Sequence, residues 1–462
     1  MPRDNRRYWR LKIARNKKHD RAVSKLLQIR GRRVIRTWGH SLLHPKSRRQ
    51  SGQFRVERRL ENVQQYFHRT MNGNDKTIAE FFAGIGLMRI GLENAGWCIA
   101  FANDIDEDKW QMYKDHFGET GEFILRDIHK LQSSEVPTVA LATASFPCND
   151  LSLAGARHGL AGAQSSAFWG FIDILKAMKR ERRLPPIVLL ENVPGFLSSH
   201  DGRDFEDALL ALNNLGYAVD TFIIDAARFV PQSRQRLFVI GLKTREADAL
   251  NETPGFYESD TRPPALASFI LLHPDINWRI RKLPQLPRCS ERLDAILEDL
   301  PLNHQMWWNR QRCEYMLNQM SPKHTAQAQA MIRGDTIRYS TVFRRVRNGK
   351  SMAELRTDGI AGCLRTPRGG SGRQILLAAG KGRFAVRLLT SRECARLMGA
   401  DDFVLKVPLN QALFGFGDAV CVPVMEWIAR NYLNPIWSEN YAEQEPAKLA
   451  GIPVTYSRPS RR

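Results

Sequence analysis

The chain has 462 residues, 43% of them hydrophobic and 25% charged, with a formal net charge of +21. That length predicts two or three structural units around a full apolar core, while no apolar run approaches the ~18 residues that span a bilayer and no hydrophobic stretch follows the first charges as a secretory signal needs. The seven cysteines are scattered, odd in number and form no CxxC pair, which argues against a zinc site or disulfide framework and for a reducing, cytoplasmic setting.

Residues 1–70 read as a basic extension, with 21 Lys+Arg against 4 Asp+Glu. From residue 77, short apolar strands alternate with helical stretches, which predicts an α/β fold of βαβ units on a mostly parallel sheet. Thr77–Phe82 is the first predicted strand, Ala83-Gly-Ile-Gly86 a tight turn, and Leu87–Ala95 a helix. Trp97–Ala102 is the second strand and ends at Asn103-Asp104. Val136–Phe146 stops at Pro147, and Ile187–Leu190 stops at Glu191-Asn192. Tyr217–Asp225 and Leu237–Gly241 lie close enough in sequence to pair antiparallel. Residues 245–375 lack strong periodicity, are rich in Pro and Gly, and read as an insertion with its own small fold. The second basic block, residues 301–385 with 15 Lys+Arg against 4 Asp+Glu, overlaps it. Two such blocks on a mildly acidic body predict a polyanion partner, because clustered cations displace phosphate counterions; a solvated tail and a basic loop are the alternative. Regular structure returns at Val386, where Thr390-Ser-Arg-Glu393 has capping-box spacing and Gly399 is the expected helix stop.

Four strand ends carry chemistry. Phe82-Ala-Gly84-Ile-Gly86 follows a strand and opens a helix, where glycines let the backbone approach a ligand. Arg89 stands where the dinucleotide fingerprint has its third glycine, so the turn alone is a weak nucleotide signal. Asp104, ending the next strand, can accept both hydroxyls of a ribose, or it can cap a helix. Phe146-Pro147-Cys148-Asn149 delivers a thiol to the carboxyl edge of the sheet, presented by a rigid proline and activated if its pKa is lowered there; a core cysteine is the alternative. Glu191 ends a buried strand, which costs free energy unless the carboxylate is paired or works as an acid or base. Gln232-Ser-Arg234-Gln-Arg236 sets two arginines on alternate positions, facing one side, or simply pairing on the surface.

In this order, the elements resemble the DNA cytosine-5 methyltransferases over roughly residues 76–242 and 385–435. The resemblance implies a Rossmann-like methyltransferase sheet binding S-adenosylmethionine. Phe82, Gly84 and Gly86 fall in the cofactor loop, Asp104 and Ile105 at its ribose and adenine, Asp127 and Ile128 at the adenine amino group, and Pro147, Asp418 and Ala419 close the pocket. Ser145 to Ser152 matches the nucleophile loop, Glu191-Asn-Val193 and Gln232 to Arg236 the two target-base motifs, Arg387 to Gly399 the penultimate motif, and Gly415 to Pro423 the last. The family resemblance makes Cys148, Glu191, Arg234 and Arg236 catalytic. Asn149 stands where the family usually has Gln, Leu87 replaces a frequent glycine, and Asp418-Ala419 replaces an Asn-Ser/Ala pair.

The family reads bases with a variable domain at the place of the insertion. Ser152, Arg344, Arg345, Arg347, Arg365, Arg368 and Arg373 are accordingly candidate contacts to double-stranded DNA, or parts of a flexible surface loop. The implied division is a basic extension 1–70, a catalytic and cofactor-binding domain 71–244, a target-recognition domain 245–375, and a completion of the catalytic domain over 376–462. A monomer, paired with a cognate restriction endonuclease and independent of metal or membrane, fits the family. A shorter resemblance covers Asn5 to Asp20 and Arg33 to Trp38, which are similar to the carboxyl-terminal part of very-short-patch repair endonucleases. That family's catalytic aspartate and most of its zinc ligands have no counterpart, so the segment is expected to be a nuclease remnant that grips DNA, or a passive scar.

Overall fold

The structure, a computed structural model, describes residues 76–147 and 167–441 apart from 245, 247, 252, 254, 302, 348 and 367–371. The expectations for the extension 1–70, Cys148, Ser152 and Arg368 lie outside the described residues, as does the side chain of Arg347.

Contiguous apolar runs build the large sheet. β1 (Thr77–Phe81), β2 (Cys98–Asp104), β3 (Phe123–Leu125), β4 (Leu141–Ala144), β5 (Ile187–Asn192), β6 (Tyr217–Asp225) and β7 (Gln235–Lys243) pair in the order β3-β2-β1-β4-β5-β7-β6. All neighbours run parallel except β7, which is antiparallel to both β5 and β6. The expected antiparallel pair is therefore present, whereas the predicted third strand is shortened to Leu141–Ala144 and β3 carried no clear signal. Along β5 the side chains alternate between faces: Ile187 and Leu189 enter one core, Val188 and Leu190 the other. A sheet buried on both faces is covered by helices on both, as its unbroken apolar strands require.

One face is covered by α1 (Leu87–Asn94) and by carboxyl-terminal helices, the other by α3 (Ala167–Arg180), α4 (Arg203–Leu215) and α5 (Pro264–Leu272). In α3, Phe168, Phe171, Ile172, Leu175 and Met178 share the buried face, the spacing of a helix packed on a sheet. Between α1 and β3 lies α2 (Glu107–Phe117), capped by Asp106 accepting from the Lys109 N–H at 3.1 Å.

A four-stranded antiparallel sheet follows, in the order β11-β10-β8-β9, from β8 (Arg338–Arg347), β9 (Lys350–Arg356), β10 (Ile375–Gly380) and β11 (Arg383–Leu388). With α6 (Arg310–Asn318) and α7 (Pro322–Arg333) it encloses a separate small core of Met316, Val342, Leu377 and Val386. Residues 264–296 pack instead on the large body, through Leu266, Ile270 and Trp278 on one face and Leu293 and Ile296 on the other.

The chain then returns through α8 (Ser391–Leu397), α9 (Leu409–Asp418), α10 (Val422–Ile428) and α11 (Asn434–Asn440). Thr390 and Glu393 form the expected capping box, and Gly399 takes a left-handed φ of 72° past the helix end. Glu393 also pairs with Arg387 at 2.6 Å, both almost fully buried. The stretch Leu409–Asn440 is long and apolar enough to cross a membrane by length and composition alone; it breaks at 419–421, and 67% of its most apolar window is buried in the fold. Gly91 on α1 explains how closely this segment docks, since a Cβ there would lie 2.5 Å from Met425 and 2.7 Å from the Val422 carbonyl.

Candidate active site

In an open α/β sheet, ligands bind beyond the carboxyl ends of the strands where the strand order reverses. Here that point lies between β1 and β4, and a cavity of about 440 Å³ opens there.

One part of its wall is the turn after β1. Phe82 and Gly84 take left-handed φ values of 58° and 57°, strained for a phenylalanine and free for a glycine. A Cβ on Gly84 would meet only the Lys109 stem, 3.9 Å away, so the backbone there is open to a ligand. Gly86 is different. Its Cβ would collide with Phe117 and come within 2.8 Å of Tyr113, and it is not on the cavity wall. Glycine at this position lets α1 pack on α2.

Asp104 is buried, and its two oxygens accept from the N–H groups of Gly84 at 2.8 Å and Asp106 at 2.9 Å. The carboxylate thus ties the glycine turn to the end of β2. Burial raises its pKa, and Lys109 is the strongest opposing influence, ahead of the two N–H bonds. Helix capping, the alternative role for Asp104, falls to Asp106. Ile105 lies on the rim, 67% exposed, presenting an apolar surface a flat ring can cover. Asp127 accepts from the His129 N–H at 3.0 Å and starts a short turn whose Ile128 is buried against the cavity. Below the turn lies Glu80, which sequence reasoning passed over because it sits inside an apolar strand. It is 2% exposed, burial pushes its carboxyl up to about 8, and its Oε2 has no partner within the protein.

The other part of the wall comes from β4, β5 and β7. Glu191, 6% exposed at the tip of β5, receives the Arg236 guanidinium Nε at 2.9 Å on Oε1 and the Ser145 hydroxyl on Oε2. Both carboxylate oxygens are engaged, which answers the cost of ending a buried strand with a charge. Asn192 accepts from the Val193 N–H at 2.8 Å and donates to the Phe146 carbonyl at 3.2 Å. It thereby fixes the ends of β4 and β5 side by side. Pro147, the residue before Cys148, lines the cavity, as do Asp418 and Ala419 at the end of α9.

Arg234 stands apart from the cavity. It is 1% exposed and absent from the cavity wall. Its guanidinium donates to the carbonyls of Leu364 (2.8 Å), Gly417 (2.9 Å) and Ala419 (2.6 Å). Gln232 makes a parallel clamp, accepting from the Leu364 N–H at 2.9 Å and donating to the Leu397 carbonyl at 2.8 Å. Of three polar residues on alternate positions, two hold the chain together where the small sheet and α9 meet the large body, and only Arg236 reaches the cavity. A Cβ on Gly417 would lie 2.5 Å from the Thr366 nitrogen, so glycine permits this close approach.

The candidate polyanion contacts divide as well. Arg344 alternates with Val342 toward the small core and is half-buried, whereas Arg345 on the opposite face is exposed, 3.6 Å from Glu354 and over the Phe343 ring. Arg365 is exposed, and Arg373 donates to Asn410 at 2.7 Å. Glu80 and Lys109 are charged wall residues that sequence reasoning did not single out. Among the described residues no cluster of His, Cys, Asp or Glu could hold a metal ion.

The chain matches the family model described as C-5 cytosine-specific DNA methylase over residues 76–434. Type II methyltransferase M.HhaI of Haemophilus parahaemolyticus is 26% identical over 360 residues, 76% of this chain and 92% of that protein. Type II methyltransferase M.DsaV of Dactylococcopsis salina is 28% identical over 364 residues, 77% of this chain and 86% of its own. Among solved structures, the Entamoeba histolytica methyltransferase EhMeth superposes with a TM-score of 0.50 at 14% identity, over 80% of this chain and 99% of that one, a likeness of fold.

Proposed function

The chain belongs to the C-5 cytosine-specific DNA methylase family, and from that premise we propose that its cavity holds S-adenosylmethionine beside a cytosine extruded from duplex DNA, with Cys148 as nucleophile. The activity itself, methylation of DNA cytosine at carbon 5, follows from the family. The residue roles are our reading.

The cavity wall fits the cofactor's parts. Gly84 leaves its backbone open, Asp104 offers carboxylate lone pairs to ribose hydroxyls, Ile105 offers an apolar face to adenine, and Asp127 can accept from an exocyclic amine. The unpartnered Glu80 Oε2 is a further acceptor for a cationic ligand. When bound, S-adenosylmethionine supplies an electrophilic methyl group on a sulfonium.

Carbon 5 of cytosine is a poor nucleophile, and inside a duplex it is unreachable, so extrusion costs a few kcal/mol of unstacking. The Cys148 thiolate forms a bond to carbon 6, and the ring's electron pair moves to give an enamine whose carbon 5 can attack the methyl group. Glu191 holds or supplies a proton at ring nitrogen 3 and offsets the developing negative charge. Arg236 orients Glu191 and hydrogen-bonds the carbonyl oxygen on carbon 2. After transfer, carbon 5 loses its proton and the electron pair expels the cysteine sulfur. The single observation that carries this reading is the convergence of Glu191, Arg236, Ser145 and Pro147 with the Gly84–Asp104 cradle on one cavity.

The basic small-sheet region, within a target-recognition domain of about 245–375, supplies DNA contacts through Arg345, Arg347, Arg365, Arg368 and Arg373, with Arg344 supporting the sheet and Ser152 in the nucleophile loop. Residues 1–70 add a second basic grip on DNA. The likeness to two type II methyltransferases supports a place in a restriction-modification system with a cognate endonuclease. A tritiated-methyl assay on duplex DNA and on tRNA tests the reading: label at carbon 5 of DNA cytosine is expected, and label confined to tRNA contradicts it.

A further inference from the structure

Beside the glycine turn the cavity wall carries an ion pair that the proposed roles leave unused. Lys109 Nζ lies 2.7 Å from Asp418 Oδ2 and 3.8 Å from Asp106, with its stem alongside Gly84. Lys109 is one-fifth exposed and Asp418 about half, and both line the cavity. Asp418 stands where the sequence resemblance implies an amide, so this chain has an additional carboxylate there, and Lys109 supplies its counter-charge. Burial alone lowers the Lys109 ammonium, but Asp418 and Asp104 beside it hold it above its ordinary value.

Gly84, Asp104, Ile105 and Asp127 suffice for a nucleoside. Two opposite charges in contact next to that cradle match the ammonium and carboxylate of an α-amino acid, which sit equally close together. We propose that Lys109 and Asp418 form a bipolar clamp for the amino-acid end of the cofactor, Lys109 taking its carboxylate and Asp418 its ammonium. This rests on the reading of the cavity as the S-adenosylmethionine site. It makes Lys109 a cofactor-binding residue, reached from a helix 309 positions before its partner.

The test is calorimetric binding of S-adenosylhomocysteine and of 5′-methylthioadenosine, which lacks the amino acid, to the full chain. Lys109→Met keeps the stem over Gly84, Asp418→Asn keeps the shape, and the double variant joins them; unchanged melting temperatures establish folding. Loss of a charge-assisted hydrogen bond is expected to weaken S-adenosylhomocysteine about tenfold or more in each single variant. Methylthioadenosine should change less than about twofold, an amount small against one hydrogen bond, and the double variant should lose less than the product of the singles. Equal weakening of both ligands by Lys109→Met, or no change in either, overturns the clamp while leaving the cavity as the cofactor site. A wild-type chain that binds neither ligand overturns the cavity reading as well.

Discussion

Glu191 and Arg236, on neighbouring strands running in opposite directions, meet at 2.9 Å on the wall of the cavity, and the second Glu191 oxygen takes the Ser145 hydroxyl. This arrangement pairs and aims a buried carboxyl group while leaving lone pairs for a base. Replacing Glu191 by Gln removes the charge and the transferable proton but keeps the shape. Glu191→Gln is expected to lower kcat by about a hundredfold or more, the usual size of an acid–base contribution. S-adenosylhomocysteine affinity, measured in parallel, should stay near wild type. Near-normal turnover would remove Glu191 from the chemistry.

Arg234 and Arg236 differ by two positions and should fail in different ways. Arg234→Met leaves three buried carbonyls without their donor, at about 1–3 kcal/mol for each such group, so urea unfolding should show a loss of about 3 kcal/mol or more. Arg234→Lys should not rescue it, because an ammonium cannot reach carbonyls on two segments at once. Arg236→Met should instead keep most of the stability and lose turnover. A stable but inactive Arg234→Met would return that residue to the catalytic group.

Glu80 gives the fold a pH dependence of defined sign. Its carboxyl titrates near 4.5 when exposed and about 8 when folded. Between those values the folded chain holds a proton that the unfolded chain has released, so this group's stabilisation is full below about 4.5 and is lost as pH rises through about 8. Glu80→Gln is expected to flatten that part of the curve, giving a variant that gains stability relative to wild type from pH 5 to pH 8. Parallel wild-type and variant profiles in denaturant unfolding would contradict the buried, raised carboxyl.

Much of this site was legible because its residues end strands. β1, β2 and β5 are apolar runs that stop at Phe82, Asp104 and Glu191, and a charge at the end of such a run stands out. What stayed hidden depends on contacts between distant segments. Gly84 and Gly86 look alike in sequence, and only Tyr113 and Phe117 packed against the second separate their roles. Arg234 and Arg236 share an alternating pattern, and only the approach of Leu364 and Gly417 turns the first into a clamp. Lys109 has no signal of its own, since its partner arrives at the far end of the fold. The small sheet was obscured by its own composition. β8 interleaves arginines with apolar residues, and the Ala- and Gln-rich α7 buries only Ala328 fully, so neither period stands out.

The most direct test is covalent trapping. A duplex carrying 5-fluorocytosine at the methylated position has no proton to release from carbon 5, so the bond from sulfur to carbon 6 cannot be undone after methyl transfer. With S-adenosylmethionine present, mass spectrometry of the digested complex should find the DNA attached to the peptide bearing Cys148, and Cys148→Ala should give no adduct while still binding S-adenosylhomocysteine. An active enzyme that forms no adduct, or one attached through another residue, would contradict the central claim.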